Sequence, residues 1–419
     1  MKLPWPTKKL GDKEYFEILE SGIEKFEGEK EYLSTSSIEG NKIIAPEGKI
    51  TYQQRPSRAN MQPQLNSVWF ARMINTIKVY SFTEANKDEI DKYILSTGFA
   101  GILCNPEKVN PRYLEKIFLS KWFNDLKNSL ASDKAIQKSL NNDDIVNLEI
   151  PLPPLHIQQK IVKILDTIQS AVEIQEKIIE KTKELKRSLM AELFKYGAPS
   201  FRRGRKLKKT EIGEIPEDWE VVRLGEVTAD MINGFPIGER DYKGILQLRM
   251  DSITTEGKIN INAGVKVPRI KGIENYLLQN GDILFNNTNS IDLVGKTAIF
   301  KGEFSECVFS NHLTRIRVNL TRALSEWVFY TLFRYWELKI FKNLATRRVG
   351  QADITTNILK NIKIPLPPLS EQREIAEILQ TIDQKIEIEK KKKELYEELF
   401  KTMLNKIMNQ EIDIEKIEI

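Results

Sequence analysis

The hexamer IPLPPL occurs at Ile150–Leu155 and again at Ile364–Leu369, 214 residues later. Each copy runs into a stretch without Gly or Pro: HIQQKIVKILDTIQSAVEIQEKIIEKTKELKRSLMAELF from His156, and SEQREIAEILQTIDQKIEIEKKKKELYEELFKTMLNKIM from Ser370. The two stretches align without a gap, so the chain carries an internal duplication, and this constrains the architecture more than any other feature. The prolines of the hexamer enforce an extended strap, because proline fixes φ and disfavours helix in the residue before it. The same hexamer could be read as an SH3-type ligand, but its repetition at one junction argues for a mechanical role.

After each strap, apolar residues recur at three- and four-residue steps. That periodicity predicts a helix about 60 Å long at a rise of about 1.5 Å per residue. One apolar stripe of this length needs a partner helix, and the other copy is the obvious one. The residues expected at the helix-pair interface are Ile161, Leu165, Ile168, Val172, Leu185 and Leu189 in the first helix. In the second they are Ile375, Leu379, Ile382, Ile386, Leu399 and Met403. Ser370 is expected to N-cap the second helix, with Glu371 in its first turn; His156 stands in that place in the first.

The same offset reaches upstream. Trp5–Leu10–Gly11 and Trp219–Leu224–Gly225 share the pattern W-x4-L-G, and NSVWFARM (66–73) lies over NGDILFNN (280–287). The interiors diverge: TYQQRPSRANMQPQ (51–64) bears little likeness to NAGVKVPRIKGIEN (262–275). One scaffold thus carries two inserts, as expected if two modules read two targets from equivalent positions. Short β-like runs (DILFNN, KTAIF, TRIRVNL) alternate with a helical one at 325–341, for which Ser325 is the candidate N-cap. The fold class is α+β: two globular α/β modules in a pseudo-two-fold arrangement, separated by two long antiparallel helices. The expected segments are a first module at 1–150, a long helix at 151–200, a linker and second module at 201–364, and a second long helix at 365–419.

With two cysteines, Cys104 and Cys307, there is no disulfide framework, and a reduced compartment is expected. No apolar run approaches the length of a membrane span, so the expectation is a cytoplasmic protein with no membrane partner. Catalytic signals are missing. No Gly-x-Gly occurs, and SIDLVGKT (290–297) lacks the first glycine of a phosphate-binding loop. Two histidines and two cysteines make a zinc site improbable, and no metal is expected. Glu256–Gly257–Lys258 reads as a turn rather than half of a nuclease metal site. A binding protein remains.

The net charge of +5 is compatible with a nucleic-acid partner without demanding one. Local clusters say more. The candidate DNA-binding residues are Gln53, Gln54, Arg55, Arg58 and Asn60 in the first module. In the second they are Asn286, Asn287, Arg347, Arg348 and Gln351. Arg reads guanine edges and Asn or Gln reads adenine edges in the major groove, while Lys and Arg neutralise phosphates. FRRGRKLKK (201–209) is a positive strip suited to phosphate contact, although for any single one of these residues a solvated loop is a commoner reading than a base contact.

Two variable modules, each followed by IPLPPL and a long helix, resemble the specificity subunit of a type I restriction–modification system. TEIGEIPEDWEVVRLGE (210–226), NGDILF (280–285) and IPLPPLSEQREIAEIL (364–379) carry the resemblance. The first copy departs from it: Ile157 replaces the acidic residue, and only Gln158 keeps the glutamine seen at Gln372. The resemblance implies a non-catalytic chain whose modules each read one half of a bipartite, non-palindromic site in double-stranded DNA. It also implies helices that set the spacing and dock two modification (methyltransferase) subunits, with restriction subunits completing the complex. No cofactor is expected in this chain; S-adenosylmethionine belongs to the modification subunit, and ATP and Mg to the restriction subunit. The alternatives are a stand-alone two-module DNA-binding regulator and a coiled-coil protein-binding scaffold. Salt-dependent DNA binding separates the scaffold from both DNA readings, and co-purification with a methyltransferase separates subunit from regulator.

Overall fold

The computed structural model describes residues 5–130, 139–236, 239–409 and 411–417, without the side chain of Leu130. The chain forms two compact units, and these cut across the segments expected from the repeat. One comprises Met1–Ile178 with Glu389–Ile419, the other Ile179–Ile388. Each boundary falls within a long helix, Leu155–Tyr196 (42 residues) or Leu369–Met408 (40 residues).

In the first unit, a sheet runs in the order Phe16–Leu19, Phe99–Cys104, Ser67–Ala71, Val79–Phe82, antiparallel throughout. A second sheet runs Gly48–Ile50, Lys30–Leu33, Tyr93–Ser96, Ala59–Met61 and contains one parallel pair, Lys30–Leu33 with Tyr93–Ser96. The strand SVWFA is buried along its whole length. Strand side chains alternate between faces, so Val68 and Phe70 enter the core beneath helix Pro111–Leu119 while Trp69 enters the core of the second sheet.

The second unit follows a similar plan, with its central strands near the same offset and its second sheet one strand shorter. Its main sheet runs Thr228–Asn233, Leu313–Val318, Ile283–Asn286, Thr297–Ile299. Its second sheet runs Val265–Val267, Ile245–Leu248, Cys307–Phe309, again with one parallel pair. Ile283 and Phe285 face one core and Leu284 the other. Inserts unlike in sequence therefore share a topology, because the alternation of buried residues survives where identities do not. A third, three-stranded sheet joins Thr288–Asn289, Gln351–Asp353 and Thr346–Arg348.

The shared motifs build one junction twice. Leu10 N–H donates to Leu148 O at 2.9 Å, and Leu224 N–H to Ile362 O at 2.8 Å. Thr7–Lys9 pairs with Glu149–Pro151, and Glu220–Arg223 with Lys363–Leu366, so the first half of IPLPPL is a strand. The Tyr113 hydroxyl donates to Pro151 O at 2.9 Å, and Trp327 Nε1 to Pro365 O at 3.0 Å. Gln158, fully buried, donates to Pro153 O (2.9 Å) and Lys108 O (3.0 Å) and accepts from Asn110 N–H (2.9 Å). Gln372 does the same with Pro367 O (2.8 Å), Arg322 O (3.4 Å) and Leu324 N–H (2.8 Å). One amide thereby ties strap, helix start and module helix together, which accounts for its presence in both copies.

The structure departs from three expectations. Ser370 lies within the first helical turn; the cap is the proline strap, with Pro154 O and Pro368 O accepting from the N–H groups of Ile157 and Glu371 at 2.9 Å. Ser325 likewise begins its helix, and Leu324 is the N-cap. Finally, Leu185 and Leu399 are 57% and 43% exposed and do not face the helix pair. Of the other stripe residues, Ile161, Leu165, Val172, Ile375, Leu379 and Ile386 are buried, while Ile168, Leu189, Ile382 and Met403 are half-buried. Beyond Val172 the buried stripe continues through Gln175, Ile179, Thr182 and Lys186, so position on the helix, not hydrophobicity, sets which side faces inward.

Each unit is completed by the far end of the other repeat's helix. Leu404, Ile407 and Met408 join the core of the first unit with Ile157, Ile161 and Leu165. Met190, Leu193 and Phe194 join that of the second with Ile375 and Leu379.

Candidate nucleic-acid interface

In the first module, Gln53, Gln54, Arg55 and Arg58 lie on the loop between strands Gly48–Ile50 and Ala59–Met61, and Asn60 lies within the latter. Gln53, Gln54 and Arg58 are exposed. Arg55 is engaged: its guanidinium lies 4.3 Å from the Tyr52 ring and donates to Tyr52 O. Tyr52 is braced edge-on by Phe26 at 5.9 Å, so this cation is held over a fixed aromatic platform.

The second-module residues separate into two groups. Arg347, Arg348 and Gln351 are exposed on a ribbon in which Arg348 pairs with Gln351 across the two-residue turn Val349–Gly350. Gly350 takes φ of 77°, a backbone conformation that favours glycine. Arg348 also bridges Asp353 at 2.7 Å. An exposed two-stranded ribbon is a shape the major groove admits, and the arginines supply donors for guanine edges or phosphates.

Asn286 and Asn287 do not join them. Both are buried at the end of the central strand. Asn286 Nδ2 donates to Met250 O at 3.1 Å; Asn287 Nδ2 donates to Asn311 O at 3.1 Å and Thr314 Oγ1 at 3.0 Å. Side-chain bonds of this kind tie the end of the strand to neighbouring segments, so both amides serve the structure of the sheet, while Asn286 Oδ1 is left without a hydrogen-bond partner.

The two candidate clusters occupy different positions in the repeat. At the 214-residue offset 51–60 falls on 265–274, which begins with the strand Val265–Val267; beyond that strand Arg269 and Lys271 are exposed and Arg269 pairs with Glu306. Reading candidates across the 214-residue offset would have found these two. The counterpart of the ribbon, 132–139, lies almost wholly outside the described residues.

The linker expected to touch phosphate is largely turned inward. Arg205 bonds Asp218 at 2.6 and 2.8 Å and Glu371 at 2.7 Å, Arg202 binds Gly197 O at 2.9 Å and Glu192, and Lys208 binds Trp219 O at 2.5 Å. These bonds, above all those to Glu371, hold the Arg205 guanidinium above its ordinary pKa. Arg203, Lys206 and Lys209 stay exposed.

The lysine of SIDLVGKT is spoken for as well. Lys296 is buried, donates to Ile253 O at 2.5 Å, and is pushed below its ordinary pKa by burial. Among the described residues, no three His, Cys, Asp or Glu side chains gather as a metal site. Nor is any helix among them long and apolar enough to cross a membrane.

These duplicated junctions coincide with a known domain pattern. The model of the type I restriction modification DNA specificity domain matches twice, over residues 5–184 and 216–398. The chain belongs to this family. Among specificity-domain relatives, the putative type I restriction enzyme MjaX specificity subunit of Methanocaldococcus jannaschii is 37% identical over 210 residues, covering 49% of each chain. The MjaVIII specificity subunit of the same organism is 33% identical over 279 residues, covering 65% of this chain and 64% of that one. The aligned region thus spans about half to two thirds of these relatives. A chain from a structure describing complex assembly and conformational transition of the type I R-M system shares the fold, with TM-score 0.63, 23% identity and coverage of 97% of this chain and 98% of that one.

Proposed function

We propose that this chain is the specificity subunit of a type I restriction–modification system. In this reading it is a non-catalytic cytoplasmic protein whose two modules read the two halves of one asymmetric site in double-stranded DNA. The observation that carries the proposal is the junction built twice around Gln158 and Gln372. It mounts two modules of one topology, differing in their exposed side chains, on one pair of helices. The first-module loop and the second-module ribbon are the proposed groove contacts, with Gln53, Gln54, Arg55, Arg58, Arg347, Arg348 and Gln351 as the residues to test.

Two modification subunits are the proposed partners on the helices. Ile174 and Ile388 occupy the same position in the two repeats and are 57% and 53% exposed; Leu185 and Leu399 form a second matched pair. Apolar side chains exposed in duplicate suit two copies of one partner. S-adenosylmethionine would be bound by those partners, and ATP and Mg by restriction subunits. The stand-alone regulator is less favoured, since the matched relatives are named as restriction-enzyme subunits.

The test is the methylome of a host expressing this chain with its modification subunit. A bipartite asymmetric methylated motif that appears only when this chain is present supports the reading. A chain that binds DNA yet directs no methylation favours the regulator.

A further inference from the structure

Gln175 and Glu389 are buried and hydrogen-bonded to each other, and they stand 214 residues apart, so they are the same position of the two repeats. Two antiparallel helices of duplicated sequence meet at equivalent positions only at the point about which the pair is symmetric. Identical residues would suffice there. Instead an amide donates to a carboxylate, which also receives Lys392 at 3.2 Å. The asymmetry continues on either side: Glu176 pairs with Lys393 at 3.0 Å, and Lys186, its side chain 10% exposed, pairs with Asp383 at 2.7 Å.

We infer that these contacts select pairing of the first long helix with the second over pairing of either helix with its like. The repeat offset states what each alternative brings together. Pairing second with second sets Glu389 against Glu389 and Lys393 against Lys390, the counterpart of Glu176. It also sets Asp383 against Phe400, the counterpart of Lys186. Like charges then face each other at the symmetry point, where burial of Glu389 limits screening, and again beside it, where the partly exposed lysines repel more weakly.

Pairing first with first sets Gln175 on Gln175, which is neutral. It also sets Glu176 against Ile179 and Lys186 against Gln169, so Glu176 keeps only Lys42 (3.3 Å) and the buried Lys186 loses Asp383. A buried charge stripped of its partner costs more than the intact pair contributes. Only the mixed pair satisfies every position. Polar residues inside helical pairs commonly work in this way, rejecting the wrong partner more than strengthening the right one. The consequence is one module of each kind on every helix pair, whatever the modules bind. A severed second half does not pair with itself, and a severed first half does so only when no second half is offered.

The test uses the full chain with a specific protease site at the exposed Arg203–Gly204 turn, cut after folding. Cut preparations carrying two mass tags are mixed and their species read by native mass spectrometry. First-with-second species should exceed like pairs by about tenfold or more. Glu389→Gln should raise the second-with-second species. Gln175→Glu should lower the mixed species, and in the uncut chain lower Tm near about pH 7.5 with recovery near about pH 5, where a crowded carboxyl takes up a proton. Adding Glu389→Gln to Gln175→Glu should restore both readouts. A statistical mixture of pairs from the native chain overturns the inference. So does a Gln175→Glu variant with unchanged sorting and Tm.

Discussion

The indole N–H of Trp219 donates to the Glu371 carboxylate at 2.8 Å, joining the first residue of W-x4-L-G to the first turn of the second long helix. Glu371 is fully buried and also accepts from Ala198 N–H at 3.0 Å and from Arg205 at 2.7 Å. Linker, module and helix thus converge on one carboxylate. Gly197, with φ of 80°, lies so close that a Cβ there would strike both Arg205 and Glu371. In the first repeat Ile157 fills the matching position and joins an apolar core against which Trp5 packs. The two junctions share geometry but not chemistry.

Removing the carboxylate leaves Arg205 buried without its main partner. Glu371→Ala is expected to cost about 3–5 kcal/mol of stability, as for breaking other buried charge pairs. Glu371→Gln, which keeps the shape and part of the bonding, should cost less. Urea denaturation monitored by Trp fluorescence checks the order; equal stability of all three chains would contradict it.

Gln158 and Gln372 should behave alike. Replacing either with Leu keeps the volume but strands buried N–H and C=O groups, at about 1–3 kcal/mol each. Amide exchange should accelerate at Asn110 in the first case and at Leu324 in the second, each change staying within its own unit. Exchange that rises at both sites in either variant would show that the junctions are not independent.

On the proposed interface, Arg347→Ala with Arg348→Ala should weaken duplex binding and flatten the log–log salt dependence by about 0.9 for each phosphate left without its cation. Asn286→Ala is expected to lower Tm while leaving the half-site sequence of the folded fraction unchanged, because its side chain bonds backbone rather than facing solvent. A shifted half-site in that variant would place Asn286 at the DNA after all.

The Glu176–Lys393 pair makes a pH-dependent contribution. The Glu176 carboxyl is held below its ordinary 4.5, first by the hydrogen bond from Lys393, while Lys393 is raised, first by Glu176. A depressed carboxyl stabilises the fold above its unfolded pKa and loses that contribution as pH falls through the folded value. A raised lysine contributes fully at neutral pH and loses its share only as pH rises through its folded value. The Tm gap between the native chain and Glu176→Gln should therefore be flat from about pH 6 to pH 9 and close below about pH 4.5. The pair is partly exposed, so the gap should be small and shrink with salt.

The sequence alone determined the repeat, the straps, the existence of both long helices and the α+β class. These rest on local rules, since proline restricts φ and helical periodicity is written in neighbouring residues. Gln158 was visible as a retained letter, but its three bonds involve residues 108 to 153 and only folding brings them together. Asn286 and Arg347 look equally suited to DNA as letters; tertiary structure put one at the end of a buried strand and the other on an exposed ribbon. Leu185 is as apolar as Leu165, yet only Leu165 turns inward, because a helix presents a position, not a residue type, to its partner. The compact units divide in mid-helix for the same reason. Burial is decided by what lies across the helix pair, and there each module's core is completed by the end of the other repeat's helix.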